Sequence, residues 1–363
     1  MTAAAGEAAA REAAAREAVA RLAVARLESV PRRKLAVLPT PLTAAPALGA
    51  ALGVPGLWLK RDELIGFGFG GNKVRGLELL LADALAQGCD TLVTGAGPQS
   101  NHVRATAAAA AHAGLGCEAI FWGDEPREPQ GNFALTRMLG ARCRFTGDQD
   151  RTSVDCGIEV AMSTLRAARR RPYAIPRGGA CPLGVLAHVL AVREVLAQCR
   201  AIGISPALVL LAAGSGGTLA GWLLGRRLFD ATFRIEAVTV SRPAAEVRAR
   251  VRALVEGAAS FLGGDCGALA APLEDSGIVV HDGFIGDGYG IPTRDGLDAL
   301  RTAARTEGVF LDPTYTGKAV AGLAALARDG RLPRGPILFL HTGGEPALFA
   351  HAAVLSDTPK EQP

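Results

Sequence analysis

From Leu38 onward the chain alternates short continuous apolar runs with longer helical stretches, and glycines punctuate the junctions. Leu57–Lys60, Thr91–Thr94, Ala119–Trp122, Arg142–Phe145, Leu208–Ala213, Glu236–Val240 and Ile337–Leu340 read as strands. Lys73 to Gln87 reads as a helix closed by Gly88, and Phe133 to Leu139 as another. A third is Ala-rich, capped by Ser100 or Asn101, and runs to His112. Strands alternating with helices predict parallel βαβ units and an α/β fold. The first thirty or so residues differ. They repeat an Ala-Arg-Glu theme in which Glu7–Arg11, Glu12–Arg16 and Glu17–Arg21 are i,i+4 pairs with the acid first, the favourable order on a helix. Val19, Leu22, Ala23 and Leu27 give this helix a modest apolar stripe, as expected of a peripheral or subunit-contact element.

Composition narrows the class. With 363 residues, 49% of them apolar, the chain can bury a core large enough for two lobes. The formal net charge is only +4, and the basic runs Arg32-Arg33-Lys34 and Arg169-Arg170-Arg171 are too short for a nucleic-acid footprint. Seven scattered cysteines (Cys89, Cys117, Cys143, Cys156, Cys181, Cys199 and Cys266) form no CxxC pair, which points to a reducing compartment and to cysteines used as core residues. Acidic residues near the N-terminus count against a transit peptide. The most apolar stretch, Ala207 to Leu224, is broken by Gly214-Ser215-Gly216-Gly217-Thr218 and reads as strand, loop and helix rather than a membrane span. A soluble, cytoplasmic protein is expected, and no His/Cys/Asp cluster has metal-ligand spacing.

Four segments are candidates for chemistry. Lys73, one of five lysines, follows the glycine-rich turn Gly68-Phe69-Gly70-Gly71-Asn72 and opens a helix, a placement suited to a Schiff base with an aldehyde cofactor, although a lysine at a helix start is usually solvated. Leu208–Ala213 runs into Gly214-Ser215-Gly216-Gly217-Thr218 and an apolar helix; free N–H groups at such a helix start bind anions. Leu219 stands where a dinucleotide loop needs its third glycine, so a phosphate monoester fits better than a pyrophosphate; an ordinary tight turn is the alternative. Gln99-Ser100-Asn101-His102 follows a strand and opens a helix, where open α/β sheets bind ligands. Tyr289 and Tyr315, two of only three tyrosines, sit on Gly/Pro loops, and Thr342 follows a buried strand.

These motifs together resemble a known family. Lys60-Arg61-Asp62 with Gly70-Gly71-Asn72-Lys73, then Gln99 to Arg104, then Leu311 to Lys318, then His341-Thr342-Gly343-Gly344 are similar to the D-cysteine desulfhydrase and 1-aminocyclopropane-1-carboxylate (ACC) deaminase family, over about residues 36–355. The resemblance implies fold type II of the pyridoxal-phosphate (PLP) enzymes: two open, twisted, mostly parallel sheets flanked by helices. It implies a large PLP-binding domain from 36–74 and 186–356, a small domain from 75–185, and the helical extension 1–35. By the same resemblance Lys73 carries the cofactor and moves the α-proton. Asn72, Asn101, Gly214, Ser215, Gly216, Gly217, Thr218, Thr316 and Thr342 hold the cofactor, with Thr316 facing the pyridine nitrogen. Gln99, Ser100, His102, Tyr289 and Tyr315 meet the substrate, with Ser100 and the tyrosines counted as catalytic. A homodimer is also implied.

The activity implied is a PLP-dependent lyase acting on a small β-substituted amino acid, D-cysteine giving sulfide, pyruvate and ammonia. A neutral hydroxyl beside the ring nitrogen leaves the ring a weaker electron sink, suited to elimination with a good leaving group. ACC deaminases carry Glu where Thr316 stands, Leu where Thr342 stands and Gln where His102 stands, so they are the nearest alternative, with a β-replacement or biosynthetic elimination enzyme next. Departures at Gly76, Ala180-Cys181-Pro182, Ala187-His188 and Glu345 spare the cofactor motifs and bear on the substrate. From other classes, Ala213-Gly214-Ser215-Gly216-Gly217 is a near miss to a serine-hydrolase GxSxG, and a non-catalytic PLP-binding protein is the bland option.

Overall fold

The computed structural model describes residues 17–263 and 273–352; Cys266 and the pairs Glu7–Arg11 and Glu12–Arg16 lie outside them. Helix α1 covers 17–29 of the described residues. Then follow β1 (Leu42–Ala44), α2 (Pro46–Leu52), β2 (Leu57–Arg61), α3 (Lys73–Ala86), β3 (Thr91–Ala96), α4 (Asn101–Ala113), β4 (Gly116–Phe121), α5 (Gly131–Met138), β5 (Arg142–Phe145), α6 (Ser153–Ala167) and β6 (Pro172–Ala174). The chain continues through α7 (Pro182–Ile202), β7 (Leu208–Ala213), α8 (Gly217–Leu228), β8 (Arg234–Thr239), α9 (Ala244–Phe261), β9 (Val279–His281), α10 (Arg294–Glu307), α11 (Thr316–Arg328) and β10 (Ile337–His341).

Two separate sheets result. One has the order β1-β2-β10-β7-β8-β9, parallel except for the edge strand β1, and the other has the order β5-β4-β3-β6 and is parallel throughout. Strand β7, Leu-Val-Leu-Leu-Ala-Ala, shows why: it is apolar at every position because both faces are covered. Val209, Leu211 and Ala213 face the core built on α7, α8 and α9, whereas Leu208, Leu210 and Ala212 face the core shared with α2, α10 and α11. The smaller sheet is likewise covered, by α3 and α4 on one side and α6 on the other. The anticipated α/β architecture is therefore what forms.

Two details differ from the sequence reading. Helix α1 docks through Ala23 and Leu27, both fully buried, while Leu22 of the expected stripe is 49% exposed. Of the described cysteines only Cys117 and Cys199 are buried outright, and Cys156 is exposed, so it is not a core residue. The 207–224 stretch forms strand β7, the glycine-rich loop and the start of α8, as the sequence reading has it; among the described residues the one helix long and apolar enough to cross a membrane is α7, which packs within the main core on α3, α8 and α9.

Candidate active site

Most of the residues that open onto the candidate cavity follow the C-terminal ends of parallel strands in both sheets, the end at which open α/β sheets present their loops. Strand β3 delivers Ser100, Asn101 and His102, β4 delivers Trp122, β7 delivers Gly214 to Thr218, β8 delivers Ser241 and Arg242, and β10 delivers Thr342. The cavity encloses about 880 Å³ of empty space, its open mouth included.

Lys73 is the lysine that lines this cavity. Its ammonium donates to the Gly178 carbonyl at 3.2 Å, and burial away from any carboxylate pushes it down to about 8. The other buried lysines are fully engaged. Lys60 donates to the Thr40 carbonyl, Glu194 and Gln198 at 2.5–2.7 Å, and Lys318 to the Ile285 and Gly288 carbonyls at 2.6 and 3.0 Å. Lys318 thereby fixes the loop that carries Tyr289.

The Lys60-Arg61-Asp62 motif proves to be scaffolding. Arg75 bonds both oxygens of Asp62, at 2.9 and 2.7 Å, and both oxygens of Glu194, at 3.0 Å each. Burial alone would raise Asp62, but the guanidinium holds its carboxyl below the ordinary range. This network clamps the turn before Lys73 to α7. The turn is completed by the Asn72 N–H donating to the Thr342 carbonyl at 3.0 Å.

The loop after β7 is shaped to receive an anion. Gly216 adopts φ +91°, which leaves the first N–H groups of α8 free, and Ser215 Oγ is buried with no hydrogen-bond partner. A Cβ on Gly178 would come within 2.4 Å of that hydroxyl, so glycine keeps the cradle open. Asn72 Nδ2 donates to Thr218 Oγ1 at 2.9 Å, tying the lysine turn to the cradle. No base bonds Ser215, which removes the Ser–His pair that a hydrolase would need. The Gly-rich loop, the orphaned hydroxyl and the adjacent Lys73 fit the phosphate and the aldehyde of PLP.

Ser100 caps α4, its Oγ accepting from the Val103 N–H at 3.3 Å. His102 Nε2 lies 3.1 Å from Thr94 Oγ1; burial, and then the nearby Lys73 charge, push the imidazole down to about 3, so it is neutral. Tyr289 and Tyr315 converge from different loops with their hydroxyls 2.6 Å apart. Tyr289 packs edge-on against Trp122, with ring centroids 5.4 Å apart. Burial pushes Tyr289 up to about 12 and Tyr315 well above its ordinary value, so both hold their protons at neutral pH. Asp312 builds the Tyr315 loop by accepting the N–H groups of Thr314, Tyr315 and Thr316 at 2.8–2.9 Å.

Three expected residues, Thr316, Gln99 and Gly217, do not line the cavity. Thr316 is buried beneath its floor, its hydroxyl donating to Asp312 Oδ1 at 2.8 Å and accepting the Asp312 N–H at 2.7 Å. Gln99 spends its amide on the next segment, accepting from the Asn132 N–H at 2.9 Å and donating to the Gln130 carbonyl at 3.1 Å. Gly217, at the first turn of α8, is buried behind the loop. Conversely, Trp122, Arg151, Arg177, Gly178, Ser241 and Arg242 line the cavity without having been singled out. Only their place after strand C-terminal ends could have flagged Trp122, Ser241 and Arg242.

Comparison with known proteins agrees with this geometry. The family model described as pyridoxal-phosphate dependent enzyme matches residues 33–343. The D-cysteine desulfhydrase of Salmonella typhi is 40% identical over 332 residues, covering 90% of this chain and 97% of that protein. A crystal structure of an ACC deaminase homologue superposes with a TM-score of 0.84 at 35% identity, covering 92% of this chain and 98% of that one. The processed threonine deaminase isoform 2 from Solanum lycopersicum, at 17% identity, covers 94% of this chain and 88% of that one; its TM-score of 0.65 marks a shared fold.

Proposed function

The chain belongs to the pyridoxal-phosphate-dependent enzyme family, and from that premise we propose that it eliminates the β-substituent of a small amino acid, D-cysteine giving sulfide, pyruvate and ammonia. The observation that carries the reading is Lys73, the one lysine among the described residues that lines the cavity, set beside the Gly214–Thr218 loop and its unpartnered Ser215 hydroxyl.

Bound PLP supplies a conjugated ring that withdraws electrons from the substrate's Cα. Lys73 would hold the cofactor's aldehyde carbon, and Gly214 to Thr218 its phosphate. Asn72 and Asn101 would flank it. Lys73 would take the proton from the substrate's Cα; an amine poised at about 8 takes and returns protons near neutral pH far better than an exposed lysine. Ser100, at the start of α4, receives the substrate carboxylate beside neutral His102. Tyr289, still protonated at neutral pH and hydrogen-bonded to Tyr315, delivers a proton to the departing sulfur.

Among the described residues no Asp or Glu lines the cavity. Thr342, which lines the cavity, would offer a bound ring only a neutral hydroxyl. That supports elimination with a good leaving group over opening of a cyclopropane ring. The large lobe at 36–74 and 186–356, the small lobe at 75–185, a homodimer and a cytoplasmic location are part of the same proposal.

The test is stoichiometry. PLP-loaded protein with D-cysteine should release sulfide and pyruvate in equal amounts and leave ACC unchanged. Turnover of ACC without sulfide release would replace this reading with the deaminase one.

A further inference from the structure

Three arginines face the cavity, and nothing in the roles assigned above uses them. Arg151 reaches across from the small-sheet side, its Nη1 donating to the Ser241 carbonyl at 2.8 Å. Arg177 donates to the Arg151 carbonyl at 3.1 Å and to Asp155 at 2.7 Å. Arg242, almost buried, is ion-paired with Glu246, which also lies 4.0 Å from Arg151. The balancing carboxylates stand on the solvent side: Asp155 is 53% and Glu246 41% exposed, against 14% for Arg177 and 10% for Arg242. Three guanidinium groups therefore share two carboxylates that water screens, while the cavity sees only the cations and Lys73. Burial and the neighbouring Arg151 and Arg250 charges also lower Arg242, as expected where cations crowd.

The reaction's ordinary anions already have receptors. The cofactor phosphate has the loop at the N-terminus of α8, and the α-carboxylate has the start of α4. The arginine charge is surplus to both.

We propose that Arg151, Arg177 and Arg242 form a second anion subsite, and that the preferred substrate is a β-substituted amino acid whose leaving group carries an acidic function; this rests on the elimination reading above. For such a thioether the α-proton passes to Lys73 and the Cβ–S bond breaks with its electron pair moving to sulfur. The acidic thiol leaves with a proton, and water converts the remaining three-carbon enamine to pyruvate and ammonia.

An isosteric pair tests this: S-carboxymethyl-D-cysteine against its amide, S-carbamoylmethyl-D-cysteine, with thiol release followed on the holoenzyme. The acid should exceed the amide at least tenfold in kcat/KM, although its thiol is the poorer leaving group. In R151Q/R177Q that ratio should fall at least tenfold with the cofactor absorbance retained. Sulfide release from D-cysteine with an acid-to-amide ratio at or below one overturns the subsite and leaves the elimination reading standing. An unchanged ratio accompanied by loss of cofactor assigns the arginines to the phosphate instead and equally overturns it. No turnover of D-cysteine or of either thioether, with cofactor bound, overturns both readings.

Discussion

The depressed Lys73 ammonium makes a quantitative prediction about how the apoprotein captures PLP. Only the neutral amine attacks an aldehyde. With the group at about 8, roughly one molecule in eleven is neutral at pH 7; at the ordinary lysine value of about 10.4–10.5 it would be roughly one in three thousand. The ratio is about 300-fold, equivalent to about 3 kcal/mol. The physical source is burial with no carboxylate partner, in contrast to Lys60, whose ammonium is opposed by Glu194. The perturbation is pH, and the assay is the rate at which apoprotein acquires the bound-cofactor absorbance. Each rate is divided by that of a free alkyl amine under the same conditions, so that the titration of PLP cancels. The absolute rate with protein should climb about tenfold per pH unit up to about 7.5 and level off above 8. The ratio to the free amine should therefore decline between pH 8 and 10. A protein rate that keeps climbing in parallel with the free amine to pH 10 would refute the reasoning, because Lys73 would then titrate as an exposed lysine.

Other expectations follow from single contacts. Lys73→Met should stabilise the PLP-free protein at pH 7 by up to about 3 kcal/mol in denaturant unfolding. Because the folded-state value is lowered, that penalty is full below about pH 8, and the gain should vanish above about pH 10.5. Arg75→Met leaves buried Asp62 and Glu194 facing Lys60 alone and should cost about 3–5 kcal/mol in the same assay. Gly178→Ala, at φ +73° and 2.4 Å from Ser215 Oγ, should weaken PLP binding at least tenfold while the circular dichroism is retained. Tyr289→Phe should lower kcat by about 10²-fold or more with the cofactor spectrum unchanged, and a full-rate variant would remove Tyr289 from proton delivery.

Much of this was legible in the sequence, and the reasons are local. Strands such as Leu208–Ala213 are short, apolar and bounded by glycine, and their helices begin and end on residues such as Ser100 and Gly114 that leave little choice. The Gly-rich loop after Leu208–Ala213 and Lys73 are local motifs too. What could not be read depended on where side chains point after folding. Thr316 sits at the first position of α11, and whether its hydroxyl looked into the cavity or back to Asp312 was decided by the Asp312 cap. Gln99 lies in a motif with true cavity residues, yet Asn132, more than thirty positions later, claims its amide. The arginine set draws on segments near 151, 177 and 242 that share no motif, and it exists only once the two sheets are brought together.

The most direct test of the central claim is borohydride reduction of the PLP-loaded protein followed by peptide mapping. The account predicts one cofactor per chain, fixed to the peptide containing Lys73, and none in Lys73→Ala. Label on Lys60, Lys318 or Lys34, or a variant that still retains reducible cofactor, would contradict it.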